Sequence, residues 1–85
     1  MKHPSAEDRA FLTELGRRVR RHRRYQDLTQ AELAERAHLS RNFVALFEAG
    51  RHGIDVVSLR WIAAALGLSL SALVDVPAAG HEEAR

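Results

Sequence analysis

Apolar residues recur at intervals of three and four along most of the chain, and no stretch alternates apolar and polar positions as a half-buried strand would. The spacing predicts an all-α protein. Ser5, with Asp8 three residues on, can cap a first helix running to about Tyr25; its buried stripe reads Phe11, Leu12, Leu15 and Val19, with His22 as a further candidate. Gln26-Asp27-Leu28 breaks that helix. Thr29 opens a short second one, QAELAERA, with Glu32 placed to complete a capping box. After a turn at His38-Leu39, Ser40 caps RNFVALFEA, which stops at Gly50, a residue free to take the left-handed conformation of helix ends. Asp55 caps VVSLRWIAAAL ahead of Gly67, and Ser69 opens a last helix, LSALV, before Pro77. Five short helices with tight links predict a compact bundle over residues 9–76, preceded by an arm and helix start at 1–8 and followed by a flexible tail at 77–85.

Length and composition narrow the picture. Eighty-five residues make one small domain, for which a second copy would add stability. With 46% hydrophobic and 28% charged residues the chain reads as globular, and no apolar run approaches the ~18 to 20 residues of a membrane span. The N-terminus MKHPSAEDRA carries charge where a secretory signal needs an apolar core, so a soluble, cytoplasmic protein is expected. Cysteine is absent, which excludes disulfides, thiolate chemistry and cysteine-bound zinc. The five histidines show no close metal-ligand spacing, and no nucleophile, base and oxyanion arrangement or nucleotide loop is present. Neither a metal, a cofactor nor an enzymatic activity is expected.

Charge is unevenly distributed. Arginines 17, 18, 20, 21, 23 and 24 contribute +6 to a net charge of +2, so the remainder of the chain stands at −4. Such polarity suggests an anionic partner, although a solvated helix can carry arginines for solubility alone. With Leu15, Val19 and His22 inward, Arg17, Arg20, Arg21 and Arg24 point out while Arg18 and Arg23 flank the buried stripe.

The most specific pattern is QAELAERAHLSRNFVALFEAG, Gln30 to Gly50, two short helices across a turn of three to four residues, the spacing of a helix-turn-helix. Ala34 is small where the helices would cross; Leu33, Ala37 and Leu39 fill the hinge; Val44 and Phe47 seat the second helix. Arg41, Asn42, Ala45, Leu46 and Ala49 share its opposite face.

Four segments in order, LGRRVRRHRR, LTQAELAERA, LSRNFVALFEAGR and IAAALGLSLSALV, cover roughly Leu15 to Val74 and resemble the Cro and lambda-repressor-like helix-turn-helix regulators, also called xenobiotic-response-element-type. The resemblance implies a five-helix DNA-binding domain. It places Gln30, at the start of the second helix, on a phosphate, in keeping with the positive end of a helix dipole; Thr29 and Ser40, the caps of the two helices, join it there. It assigns base readout to Arg41 and Asn42, whose side chains can bond guanine and adenine bidentately. Ala45 and Leu46 stand where many relatives carry polar readers, and either pack on thymine methyls or fill space. Arg51, His52 and the amide of Gly53 look like phosphate clamps, with a solvated loop as the alternative. Arg23 is implied to pair with Glu48 and to lie near the DNA backbone. Three positions depart from the pattern: His38 and Asp27 stand at left-handed turns where relatives usually or often have Gly, and His22 replaces a usual Leu, either as a passive ring or as a pH-sensitive group.

Relatives bind as two-fold dimers on palindromic half-sites, so a homodimer is expected. Val57 and Trp61 fall beside the predicted core stripe of the fourth helix, Val56, Leu59, Ile62, Ala63 and Leu66; with Leu68 and Leu70 they form the candidate interface, unless Trp61 merely closes the monomer core. The implied function is a repressor or autoregulator acting on double-stranded DNA, of an architecture resembling restriction–modification controllers. The alternative is an antitoxin or adaptor that uses the fold to bind a protein partner.

Overall fold

Each helix opens on a residue whose side-chain oxygen accepts an amide that the helix itself leaves unpaired. In the computed structural model, which describes residues 3–75, these helices are α1 (Ala6–Tyr25), α2 (Gln30–Arg36), α3 (Arg41–Glu48), α4 (Val56–Ala65) and α5 (Leu70–Val74). Ser5, Thr29, Ser40, Asp55 and Ser69 are the five caps, and the Ser5/Asp8 and Thr29/Glu32 pairs are full capping boxes. No strand occurs among the described residues, in keeping with the all-α reading; the tail expected at 77–85 lies outside them.

The first four helices end alike. Asp27, His38, Gly50 and Gly67 take φ of 58°, 59°, 72° and 74°, and the residue after each donates its amide to a carbonyl five residues back: Leu28 to Arg23, Leu39 to Ala34, Arg51 to Leu46 and Leu68 to Ala63, at 2.8 to 3.1 Å. This Schellman closure needs a left-handed residue. Asp and His supply it where glycine would be unstrained.

α3 packs between α1 and α2. Its Val44 and Phe47 are fully buried; α1 and α2 pack on it, α4 packs on α2, and α5 lies against α4 and α1. Leu15, Val19, Leu33, Ile62 and Leu73 fill the rest of the interior. Gln26 donates Nε2 to the carbonyl of Leu66 at 2.8 Å and Arg18 donates Nη2 to that of Ala72 at 3.0 Å, so α5 runs back along α1 from its C-terminal end. α1 crosses α3 at Gly16, where a β-carbon would overlap the carbonyl oxygen of Phe47 and stand 2.8 Å from that of Glu48.

Three expected core residues fall short of full burial. Phe11 is 40% exposed and Leu12 only half-buried, because the first turns of α1 extend past the bundle and burial begins in full at Leu15. Val56 is 65% exposed as the first residue of α4; Ser58, bonded through its amide and hydroxyl to Asp55, takes the buried position instead. The Asp55 carboxyl is held below the usual range by the amide and then the hydroxyl of Ser58. No described helix is long and apolar enough to cross a membrane, and no metal-binding cluster of His, Asp or Glu is found among the described residues.

Candidate nucleic-acid interface

The orientation of α3 is set from beneath by a buried ionic network. Arg23 donates Nε to Glu48 Oε2 at 2.7 Å and Nη2 to Glu48 Oε1 at 3.0 Å, while Nη1 donates to the carbonyl of Leu28 at 2.8 Å. The side chains are 11% and 2% exposed. Gln30 completes the network by donating Nε2 to Glu48 Oε1 at 3.1 Å. One carboxylate thus ties together the last turns of α1, the first residue of α2 and the end of α3, and the fork geometry of guanidinium on carboxylate makes the tie directional. Arg23, expected both to pair with Glu48 and to lie near a DNA backbone, makes that pair and spends three donors inside the fold, with little surface left.

Above this network, Arg41 and Asn42 are exposed on the first turn of α3, and Ala49 is exposed at its end. Ala45 and Leu46 lie half-buried between them, so the middle of the face is shallow and apolar. Thr29 and Ser40 are exposed, and each hydroxyl oxygen accepts an amide, from Glu32 and Phe43 respectively at 3.0 Å, while the Thr29 hydroxyl also bonds the Glu32 carboxylate. Gln30, half-buried, has its amide group oriented by Glu48 rather than left to solvent.

The loop after α3 folds back onto it. His52 Nδ1 lies 2.8 Å from the carbonyl of Gly53, and its ring packs on Phe43 with centroids 4.7 Å apart. Arg51 and Gly53 are exposed, and a β-carbon at Gly53 would meet nothing within 4 Å, so the fold itself does not require glycine there. Sequence reasoning missed Phe43 as the platform for His52; an aromatic two residues into a polar helix start is the signal available for it. It also missed Gln30 as a partner of Glu48.

On α1, Arg17 pairs with Glu14 at 2.9 Å, whereas Arg20, Arg21 and Arg24 are exposed and make no ion pair among the described residues. Arg18 is half-buried, with Nη2 on Ala72 and its Nε enclosed without a partner. His22 is half-buried, and burial first, then the charges of Arg18 and Arg21, pull its pKa below the ordinary value and favour the neutral ring.

On α4, Val57 and Trp61 are 50% and 38% exposed, one turn apart, and Ala64 extends the strip. The indole stands edge-on to the ring of His38, centroids 5.9 Å apart, beside the turn between α2 and α3. Leu68 and Leu70 are half-buried and lean on the core.

Comparison with known proteins gives one consistent result. A family model described as a helix-turn-helix domain matches residues 14–76. The chain is 40% identical over 60 residues to an immunity repressor protein of Bacillus phage phi105; the match spans 71% of this chain but 42% of that repressor's length. Among solved structures, the restriction-modification controller protein C.AhdI from Aeromonas hydrophila is 31% identical with a TM-score of 0.72, over 73% of this chain and 94% of that one. A hypothetical transcription factor from Neisseria is 31% identical with a TM-score of 0.74, over 88% of each chain.

Proposed function

The chain belongs to the helix-turn-helix domain family in its lambda-repressor-like form, and on that premise we propose that it is a sequence-specific transcriptional regulator of double-stranded DNA, a cytoplasmic repressor or autoregulator. The observation that carries this reading is the exposed first turn of α3, Arg41 and Asn42, held from below by the buried Arg23, Glu48 and Gln30. An exposed helix start on a fixed base is what entry into a major groove requires, since base edges are discriminated by bonds of defined geometry. Arg41 and Asn42 read bases, Ala45 and Leu46 offer an apolar floor for thymine methyls, and Thr29, Gln30, Ser40, Arg51, His52 and the Gly53 amide hold phosphates. The phage repressor and the restriction-modification controller support the regulatory reading, and the controller matches the present chain along nearly its whole length.

The regulator acts as a homodimer on palindromic half-sites. Val57 and Trp61 form the centre of the interface, flanked by Leu68 and Leu70; an aromatic side chain part-exposed in an apolar strip is a favoured anchor. Trp61→Glu is therefore expected to give a folded monomer, seen as halved mass in sedimentation with unchanged helix content. A variant that stays dimeric would remove these residues from the interface. The same strip favours a second reading, an antitoxin or adaptor with a protein partner, which a stoichiometric partner co-purifying on wild type but lost on Trp61→Glu would support.

Selection of binding sites from random duplexes tests the main proposal. The expected product is a symmetric site with half-sites about one helical turn apart. Arg41→Ala should then lose preference at one base pair per half-site, by about 1 to 3 kcal/mol at fixed salt, with little change elsewhere in the site. Uniform weakening across all sequences would reassign Arg41 to phosphate, and failure to enrich any sequence would remove DNA reading altogether.

A further inference from the structure

Arg17, Arg20, Arg21 and Arg24 form one row on α1 and line a shallow surface concavity. The row occupies the side of α1 that touches neither neighbour. α1 turns Gly16 and Arg23 to α3 and Arg18 to α5, and the row lies on the remaining, exposed side. Of the four, Arg17 alone has a carboxylate partner among the described residues. Three further guanidinium groups, within about 6 Å of helix length, therefore face solvent without a carboxylate partner among the described residues.

We propose that this row is a second, sequence-independent duplex-binding surface, which grips the phosphate backbone of a DNA segment other than the one held by α3. The inference rests on the DNA-binding reading above and goes beyond it. Duplex DNA carries one negative charge per about 1.7 Å of axis, so a short row of fixed cations meets several phosphates at once. Arginine suits them because its planar fork bonds phosphate bidentately. The row from Arg17 to Arg24 contains no apolar side chain on its outer side, and one aromatic ring, the exposed Tyr25, stands at its end beside Arg21. Protein interfaces centre on apolar and aromatic residues and are depleted of charge there, whereas backbone binding needs charge alone. The rest of the chain is net negative, so the row is a local concentration of positive charge that attracts a polyanion. With α3 on one duplex and the row on another, the protein bridges DNA segments.

The test is a capture experiment with the full chain. A biotinylated duplex bearing the best selected site is held on beads and loaded with protein, then offered a labelled mixed-sequence duplex of roughly 30 base pairs, about three turns. Wild type is expected to capture the label. The triple variant Arg20→Gln, Arg21→Gln, Arg24→Gln, checked for an unchanged melting profile, should lose capture by about ten-fold or more at ~50 mM salt while holding the first duplex within about three-fold. Because that variant keeps both reading helices of a dimer, its loss of capture would not come from them. Capture retained by the variant, or no capture by wild type on a loaded bead, overturns the proposal. An equal loss of both duplexes would fold the row into the single DNA surface and also overturn it. Displacement of the label by poly-glutamate at lower charge concentration than by unlabelled duplex would assign the row to an acidic protein instead. Failure of the first duplex to load at all would reject the DNA-binding reading itself, a result distinct from each of these.

Discussion

Arg23→Ala is expected to cost about 3 to 5 kcal/mol of folding stability, because it strands the buried Glu48 carboxylate without its main partner. In a domain of this size each kcal/mol moves the melting temperature by roughly 4 to 8 °C, so a fall of more than about 10 °C should be plain by circular dichroism. The loss comes from an uncompensated buried charge, not from the pair's net worth. Replacing both partners by apolar residues of similar volume, Arg23→Met with Glu48→Leu, should therefore recover most of the stability. DNA affinity should not follow it back, since Gln30 would still lack the acceptor that orients it and α3 the directional tie to α1. Arg17→Ala is the control: its side chain is 64% exposed and its partner lies three residues away on the same helix, so its effect should stay within about half a kcal/mol. Identical melting of wild type and Arg23→Ala would rule out a structural role for the network.

Gly16→Ala should be the second large perturbation, and its sign is not obvious from helix chemistry. Alanine in a helix interior is favoured over glycine by about 1 kcal/mol. Against that gain, the new β-carbon overlaps the backbone oxygen of Phe47 and crowds that of Glu48, and neither is a flexible side chain that could swing aside. The helices must separate, opening the packing around Phe47 and Leu15, at a cost of about 1 to 3 kcal/mol beyond the propensity gain. Since α3 carries Arg41 and Asn42, the same displacement should reduce preference for the selected site more than it reduces mixed-sequence binding. Gly67→Ala provides the contrast: φ there is +74° but a β-carbon would meet nothing within 4 Å, so only conformational strain is expected. If Gly16→Ala melted at or above wild type, the close crossing of α1 and α3 would be wrong.

Helix starts were legible because a cap is local chemistry: the Ser, Thr or Asp and the amide it accepts lie three residues apart, so the spacing can be read directly. Periodicity tells which face of a helix turns inward but not where its neighbour stops, which is why Phe11 and Val56 were assigned to a core that does not reach them. Arg23 and Glu48 stand 25 residues apart, and nothing in their spacing joins them; the pairing came from resemblance to a family. Gln30 escaped as the third member because a helix-start glutamine looks complete as a phosphate ligand. Gly16 could have been noticed, since a lone glycine inside a helical pattern usually has a packing reason. Its carbonyl partners on α3 could not, because backbone proximity leaves no mark on side-chain type.

The four left-handed helix ends have a consequence for motion. Each link from α1 to α5 begins with a bond reaching five residues back, and in the links α1–α2, α2–α3 and α4–α5 the next helix cap follows at once, whereas the α3–α4 link runs on through residues 51–55. Reorienting the helices across the three short links breaks these closures, and with them the caps just beyond. Slow amide exchange in the helices should therefore proceed through one shared opening, with similar free energies across α1, α3 and α4, rather than through piecewise loosening. A regulator built in this way meets DNA with its reading surface already formed.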